Sequence, residues 1–136
     1  ILPYYQEFMP RMHDAGKFVA MHADNDTQQI LELIEQAGWD MVECFVTAPM
    51  VPLTLRAARE AWGHRVIMWG GLPSLLLSPS VAEEDFRAYM DELFEIIAPG
   101  DAFILGVADN VMPDSLIERV AYVTELVEKR GWYPIS

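Results

Sequence analysis

The sequence has one cysteine, Cys44, in 136 residues. It can form no internal disulfide and no multi-cysteine zinc site from its own residues. Basic residues are also scarce: nine Lys and Arg stand against 21 Asp and Glu, for a net charge of -12. Nucleic-acid binding and adsorption to anionic membranes both need clustered cations, so neither partner is expected. No apolar run reaches the roughly 18 residues of a spanning helix, and no signal-peptide pattern is present. Gly-rich phosphate loops of the two common types are missing, which leaves nucleotide binding unsupported. Scarce cysteine is compatible with a reducing compartment, and the expected location is cytoplasmic.

What is present is a chain rich enough in apolar residues, at 52%, to bury one ordinary core. Residues 1–136 read as one domain. The chain begins at Ile1, not Met, inside a predicted helix, and is expected to be a piece of something longer. Tyr5, Phe8, Met9 and Met12 recur at helical spacing and predict a helix over Tyr4 to Asp14, closed near Gly16. A short buried strand follows over Phe18 to Met21. The next helix spans Thr27 to Gln36, with Asp26 or Thr27 as its N-cap. Strand two covers Met41 to Val46, and Pro52 fits the first position of a third helix reaching Trp62. Strand three covers Arg65 to Trp69, followed by Gly70-Gly71. Ser80 to Glu83 reads as a capping box for a fourth helix through Ile97. Strand four covers Ala102 to Val107, and Ser115 to Glu118 caps the last helix. The order is a helix followed by four strand–helix pairs, which predicts an α/β fold with a parallel sheet covered by helices. Four strands are half of a (β/α)8 barrel, and a small open sheet is the alternative.

In such folds chemistry collects where strands end and helices begin. His22 and Asp24 follow the first strand, and Asp109 follows the last. His22 is either an acid/base group or metal ligand, or a turn histidine held by the backbone. Asp24 either orients His22 or caps the helix, and Asp109 either acts in a site or makes a tight turn. Glu43 and Cys44, adjacent in strand two, are expected on opposite faces; Glu43 is functional if it faces a barrel interior and not if it lies on an exposed edge, and Cys44 is a small core residue. Gly70 and Gly71 allow positive φ or close backbone approach.

Several segments together carry a resemblance. They are Gly16-Lys17 before the first strand and His22-Ala23-Asp24 after it, then Ala37-Gly38-Trp39-Asp40. Further along come Trp69-Gly70-Gly71-Leu72-Pro73, Asn110-Val111-Met112-Pro113 and the ending Gly131-Trp132-Tyr133-Pro134. In this order and spacing the chain resembles the C-terminal half of the uroporphyrinogen decarboxylase superfamily, which also holds cobalamin-linked methyltransferases. The resemblance implies the second half of a (β/α)8 barrel and a carboxy-lyase of the porphyrin biosynthesis type. It implies catalytic roles for His22, Asp24 and Asp109, and substrate contacts at Thr47, Gly70 and Gly71. It implies no cofactor, a small-molecule substrate, and either a homo-oligomer or a missing N-terminal half, without which this segment is inactive.

The methyltransferase branch holds zinc with a His-x-Cys pair after this strand and a cysteine in the last turn. Here the pair reads His22-x-Asp24 and the last turn offers Asp109. The alternative implied is a metal-dependent methyl transfer enzyme with zinc or a similar ion on His22, Asp24 and Asp109. The cations argue about substrate. Arg11, Arg56, Arg59, Arg87, Arg119, Lys129 and Arg130 fall in predicted helices, and Lys17 and Arg65 flank the N-terminal ends of strands. A polycarboxylate substrate would therefore draw its counter-charges from elsewhere. The third reading is a non-catalytic half-barrel that self-associates through the open edges of its sheet.

Overall fold

A computed structural model of the chain describes residues 1–135. Its elements are α1 (Leu2–Asp14), β1 (Ala20–His22), a 3-10 turn (Gln28–Ile30), α2 (Leu31–Ala37), β2 (Met41–Phe45) and α3 (Leu55–Trp62). They continue with β3 (Ile67–Pro73), a second 3-10 turn (Ser74–Leu77), α4 (Glu83–Ile97), β4 (Phe103–Ala108) and α5 (Ile117–Arg130). The four strands form one sheet in sequential order, β1-β2-β3-β4, and every pair is parallel. This is the strand and helix sequence of half a (β/α)8 barrel. Among the described residues no helix is long and apolar enough to cross a membrane.

One face of the sheet carries the core. Val42, Phe45, Met68, Leu72 and Phe103 point into a cluster with Ala58 and Trp62 of α3 and Phe86, Met90, Leu93 and Ile97 of α4. Burial of each large side chain contributes roughly 1.5–3 kcal/mol. Trp62 sits wholly inside because its indole N–H finds the Leu31 carbonyl at 2.9 Å. Among the described residues no helix covers the opposite face, and Trp69 and Ile104 on it are 43% and 41% exposed.

Several boundaries differ from those expected. β1 starts two residues later and takes in His22, while Phe18, expected in a buried strand, is 85% exposed. α3 starts at Leu55, not at Pro52, because the Thr54 hydroxyl accepts from the Ala57 N–H at 3.1 Å and fixes the N-cap there. β3 runs on through Gly70 and Gly71 to Pro73, since β4 pairs with it over that whole length. The Ser80–Glu83 capping box does not form. Glu83 turns instead to Arg119 and Arg87, and the N-cap of α4 is Ala82. The second box is absent too: α5 is capped by Leu116, and the Ser115 hydroxyl is buried without a partner. Asp26 does serve a helix start, accepting from the Gln28 N–H at 3.0 Å.

One irregularity positions the site. Val42 pairs with Met68 and Phe45 with Gly70, so β2 spends three residues where β3 spends two. The extra residue is a β-bulge. Cys44 absorbs it with φ +54, a left-handed conformation uncommon outside glycine. Gly70 makes the fit possible: its φ is +142, and a Cβ there would lie 2.8 Å from the backbone N and O of Phe45.

Candidate active site at the strand C-termini

The C-terminal ends of β1, β2 and β4 bring together His22, Asp24, Glu43, Cys44 and the backbone of Asp109. His22 and Glu43 are register partners on β1 and β2. Their side chains meet at 2.6 Å, His22 Nδ1 to Glu43 Oε2. The other ring nitrogen, Nε2, faces Asp24 Oδ2 at 3.5 Å. The hydrogen bond to Glu43 raises the His22 pKa above its ordinary 6.5, helped by the charges of Glu43 and Asp24 and opposed by partial desolvation. Two neighbouring carboxylates favour the charged imidazolium, the form in which both ring nitrogens donate.

Cys44 does not lie in the core. The bulge turns it away from the core side and onto the same open side as Glu43, which corrects the expectation of opposite faces. In regular strand geometry Val42 and Phe45, three residues apart, would face opposite ways. Here both are fully buried on the core side. Glu43 and Cys44 between them are displaced together. The Asp109 N–H donates to Cys44 Sγ at 3.1 Å, and Asp109 too is left-handed, with φ +65. β3 runs between these two strands, and at the level of the bulge it carries Gly70 and Gly71, with no side chain to keep the ends apart. Burial is the largest influence on the Cys44 thiol and pushes its pKa up. The Asp109 N–H pulls it down, and the charges of Glu43, Asp109 and Asp24 push it up again.

The remaining expected residues have other placements. Thr47 is buried, and its hydroxyl pairs with the Tyr89 hydroxyl of α4 at 3.2 Å. Tyr89 in turn donates to the Gly71 carbonyl at 2.5 Å. Burial pushes the Tyr89 pKa up to about 12, so the phenol stays a donor. Thr47 and Gly71 thus pin α4 to the sheet. The Asp109 carboxylate accepts from the Asn110 side chain at 3.3 Å, and this residue meets the cluster through its N–H.

Among the described residues, one group of three potential metal ligands has its donor atoms all within 4.8 Å of one another: His22, Glu43 and Cys44. It shares only His22 with the ligand set expected from the sequence. Glu43 and Cys44 were not read as a pair because strand alternation separates them. The signal was there in the spacing of Val42 and Phe45, whose three-residue step breaks the period of two.

The cations stay away from this mouth. Arg119 is buried in the β3–α4 connection, Arg56 pairs with Glu92, Arg65 with Glu35, Arg87 with Glu83 and Arg130 with Asp91. Residues 1–130 match the model of a family described as Uroporphyrinogen decarboxylase (URO-D). Comparison with curated proteins gave no match.

Proposed function

The chain belongs to the uroporphyrinogen decarboxylase family, and on that premise we propose that it is the C-terminal part of a uroporphyrinogen decarboxylase-like carboxy-lyase working in the cytoplasm. The observation that supports this most is the His22 pair with Glu43 and Asp24 at the open end of the sheet. In its protonated form the imidazole there gives a proton to a ring carbon or grips a substrate carboxylate, as general acid catalysis requires. Protonation of an electron-rich ring leaves a cation, which the negative field of Asp24, Glu43 and Asp109 stabilises. The C–CO2 bond then breaks, its electrons neutralise the ring cation and leave an exocyclic methylene, and the methylene carbon takes a proton. The ring gives back the first proton, and the net change is carboxymethyl to methyl plus carbon dioxide. No cofactor enters this sequence. The cations that bind a polycarboxylate come from the other half of the barrel, so this segment alone is inactive.

The test pairs the chain with the polypeptide that completes its barrel and measures carbon dioxide release from a porphyrinogen carrying acetate side chains. His22→Gln should lower turnover at least ~100-fold. A completed barrel that neither binds nor decarboxylates such a ring would rule the reading out.

A second reading is favoured by the donor cluster. In a cobalamin-linked methyltransferase-like enzyme, a zinc-type ion activates a substrate thiol. The residues expected from the sequence to hold it are His22, Asp24 and Asp109. The chemistry of the site fits an ion of this kind, since an imidazole, carboxylates and a thiol converge there. Metal analysis of the chain prepared with zinc checks this reading, and a metal-free protein would sink it.

A further inference from the structure

We propose that His22, Glu43 and Cys44 together hold a thiol-seeking divalent cation of the zinc type. In this site Cys44 Sγ is the soft ligand, and the Asp109 main chain, not its carboxylate, fixes the sulfur. The inference rests on the metal reading for the presence of an ion, and not on methyl transfer as the reaction.

The donor atoms lie within 4.8 Å of one another, a span that an ion with bonds of about 2.0–2.3 Å closes by side-chain rotation. Their chemistry is selective. Imidazole nitrogen, carboxylate oxygen and sulfur in one place suit zinc, whereas magnesium and calcium take oxygen alone. Metal binding needs deprotonated ligands, so an ion held by both His22 and Glu43 would compete with their mutual hydrogen bond.

The backbone is shaped to deliver the thiol. Without the bulge, Cys44 would point to the core side, opposite to Glu43. Its left-handed φ of +54 carries a conformational cost, and it brings two consecutive side chains to one face. Asp109 carries the same kind of cost, with φ +65, and its N–H ends 3.1 Å from Sγ. Amide donors of this kind orient a metal-bound sulfur from the second layer of contacts. Two left-handed non-glycine residues, Cys44 in β2 and Asp109 just past β4, meet at one sulfur atom. Three protein ligands also leave a coordination position open, as zinc sites that act on substrates do.

The test titrates the full 136-residue chain with Co(II) under reducing conditions, with zinc in competition. The expected result is one ion per chain with a sulfur-to-cobalt charge-transfer band. Cys44→Ser and Cys44→Ala should abolish the band and weaken binding at least ~100-fold, while circular dichroism stays that of the parent. Asp109→Asn keeps the N–H and tolerates the left-handed backbone, so it should hold binding within about threefold and retain the band. A band that survives both Cys44 changes would overturn the assignment. So would loss of binding in Asp109→Asn, which would put the carboxylate on the ion. Binding without any sulfur band refutes Cys44 and leaves the metal reading standing, whereas no binding at all removes both.

Discussion

His22 and Glu43 lie opposite each other on adjacent parallel strands, and their side chains touch at 2.6 Å. In the metal-free chain this contact sets a pH dependence. The folded-state pKa of His22 is raised above the ordinary 6.5, chiefly by the Glu43 hydrogen bond. The stabilisation is therefore fully present below about pH 6.5 and is lost as pH rises through the higher folded value. An NMR titration of the His22 ring should give a midpoint above that of a free histidine. Glu43→Gln should bring the midpoint down. An unchanged midpoint would mean that the pair is not formed in solution.

Arg119 should be the most sensitive cation. Its side chain is nearly inaccessible, and its guanidinium donates to the carbonyls of Leu76, Ser78 and Val81 at 2.6, 2.8 and 2.7 Å. Arg119→Ala leaves three carbonyls without their donor, a loss of about 3 kcal/mol. Its Glu83 partner is half-exposed and can be rehydrated, so Glu83→Gln should cost clearly less than Arg119→Ala. Urea denaturation of the two variants checks the ordering. Equal effects would locate the stabilisation in the ion pair and not in the carbonyl contacts.

Gly70 and Gly16 offer a matched comparison. Both have positive φ, yet a Cβ at Gly16 meets nothing within 4 Å, whereas one at Gly70 runs into the Phe45 backbone. Gly16→Ala should cost only ~1 kcal/mol for the left-handed conformation. Gly70→Ala should cost roughly 3 kcal/mol, because a strand backbone cannot step aside as a side chain can. It should also disturb the His22–Glu43 contact through the bulge, lowering the His22 midpoint. Thermal unfolding together with the same NMR titration reads both effects.

These relationships were unevenly legible in the sequence. The parallel sheet was, because apolar strands such as Met41 to Phe45 and Phe103 to Ala108 alternate with stripes such as Phe86, Met90, Leu93 and Ile97. His22, Asp24 and Asp109 were singled out because they follow the predicted strands. The ends of elements were less legible, since tertiary contacts decide them: Glu83 abandons a cap for Arg119, and Gly70-Gly71 extend a strand when β4 pairs alongside. Thr47 and Gly71 illustrate the same limit. The resemblance implied substrate contacts there, and the contact each makes with the Tyr89 hydroxyl was not legible in the sequence. The Glu43–Cys44 displacement depends on a backbone conformation that no side-chain pattern states outright.

The bare sheet face leads to the last prediction. Parallel sheets are ordinarily covered on both sides. Here Trp69 and Ile104 are open, and β1 and β4 each have, among the described residues, one unpaired edge. Strand edges and apolar faces of this kind promote association, and a second copy of the chain offers the matching four strands. Like charge opposes the pairing, at -12 for each copy. Screening should therefore govern it: the chain should be monomeric at low ionic strength and dimeric near 1 M salt, where the Debye length is about 3 Å. Light scattering across that range measures the mass, and Trp69→Lys should hold the chain monomeric throughout. If the parent chain stays monomeric at every salt concentration and at high protein concentration, the face does not pair with its own kind.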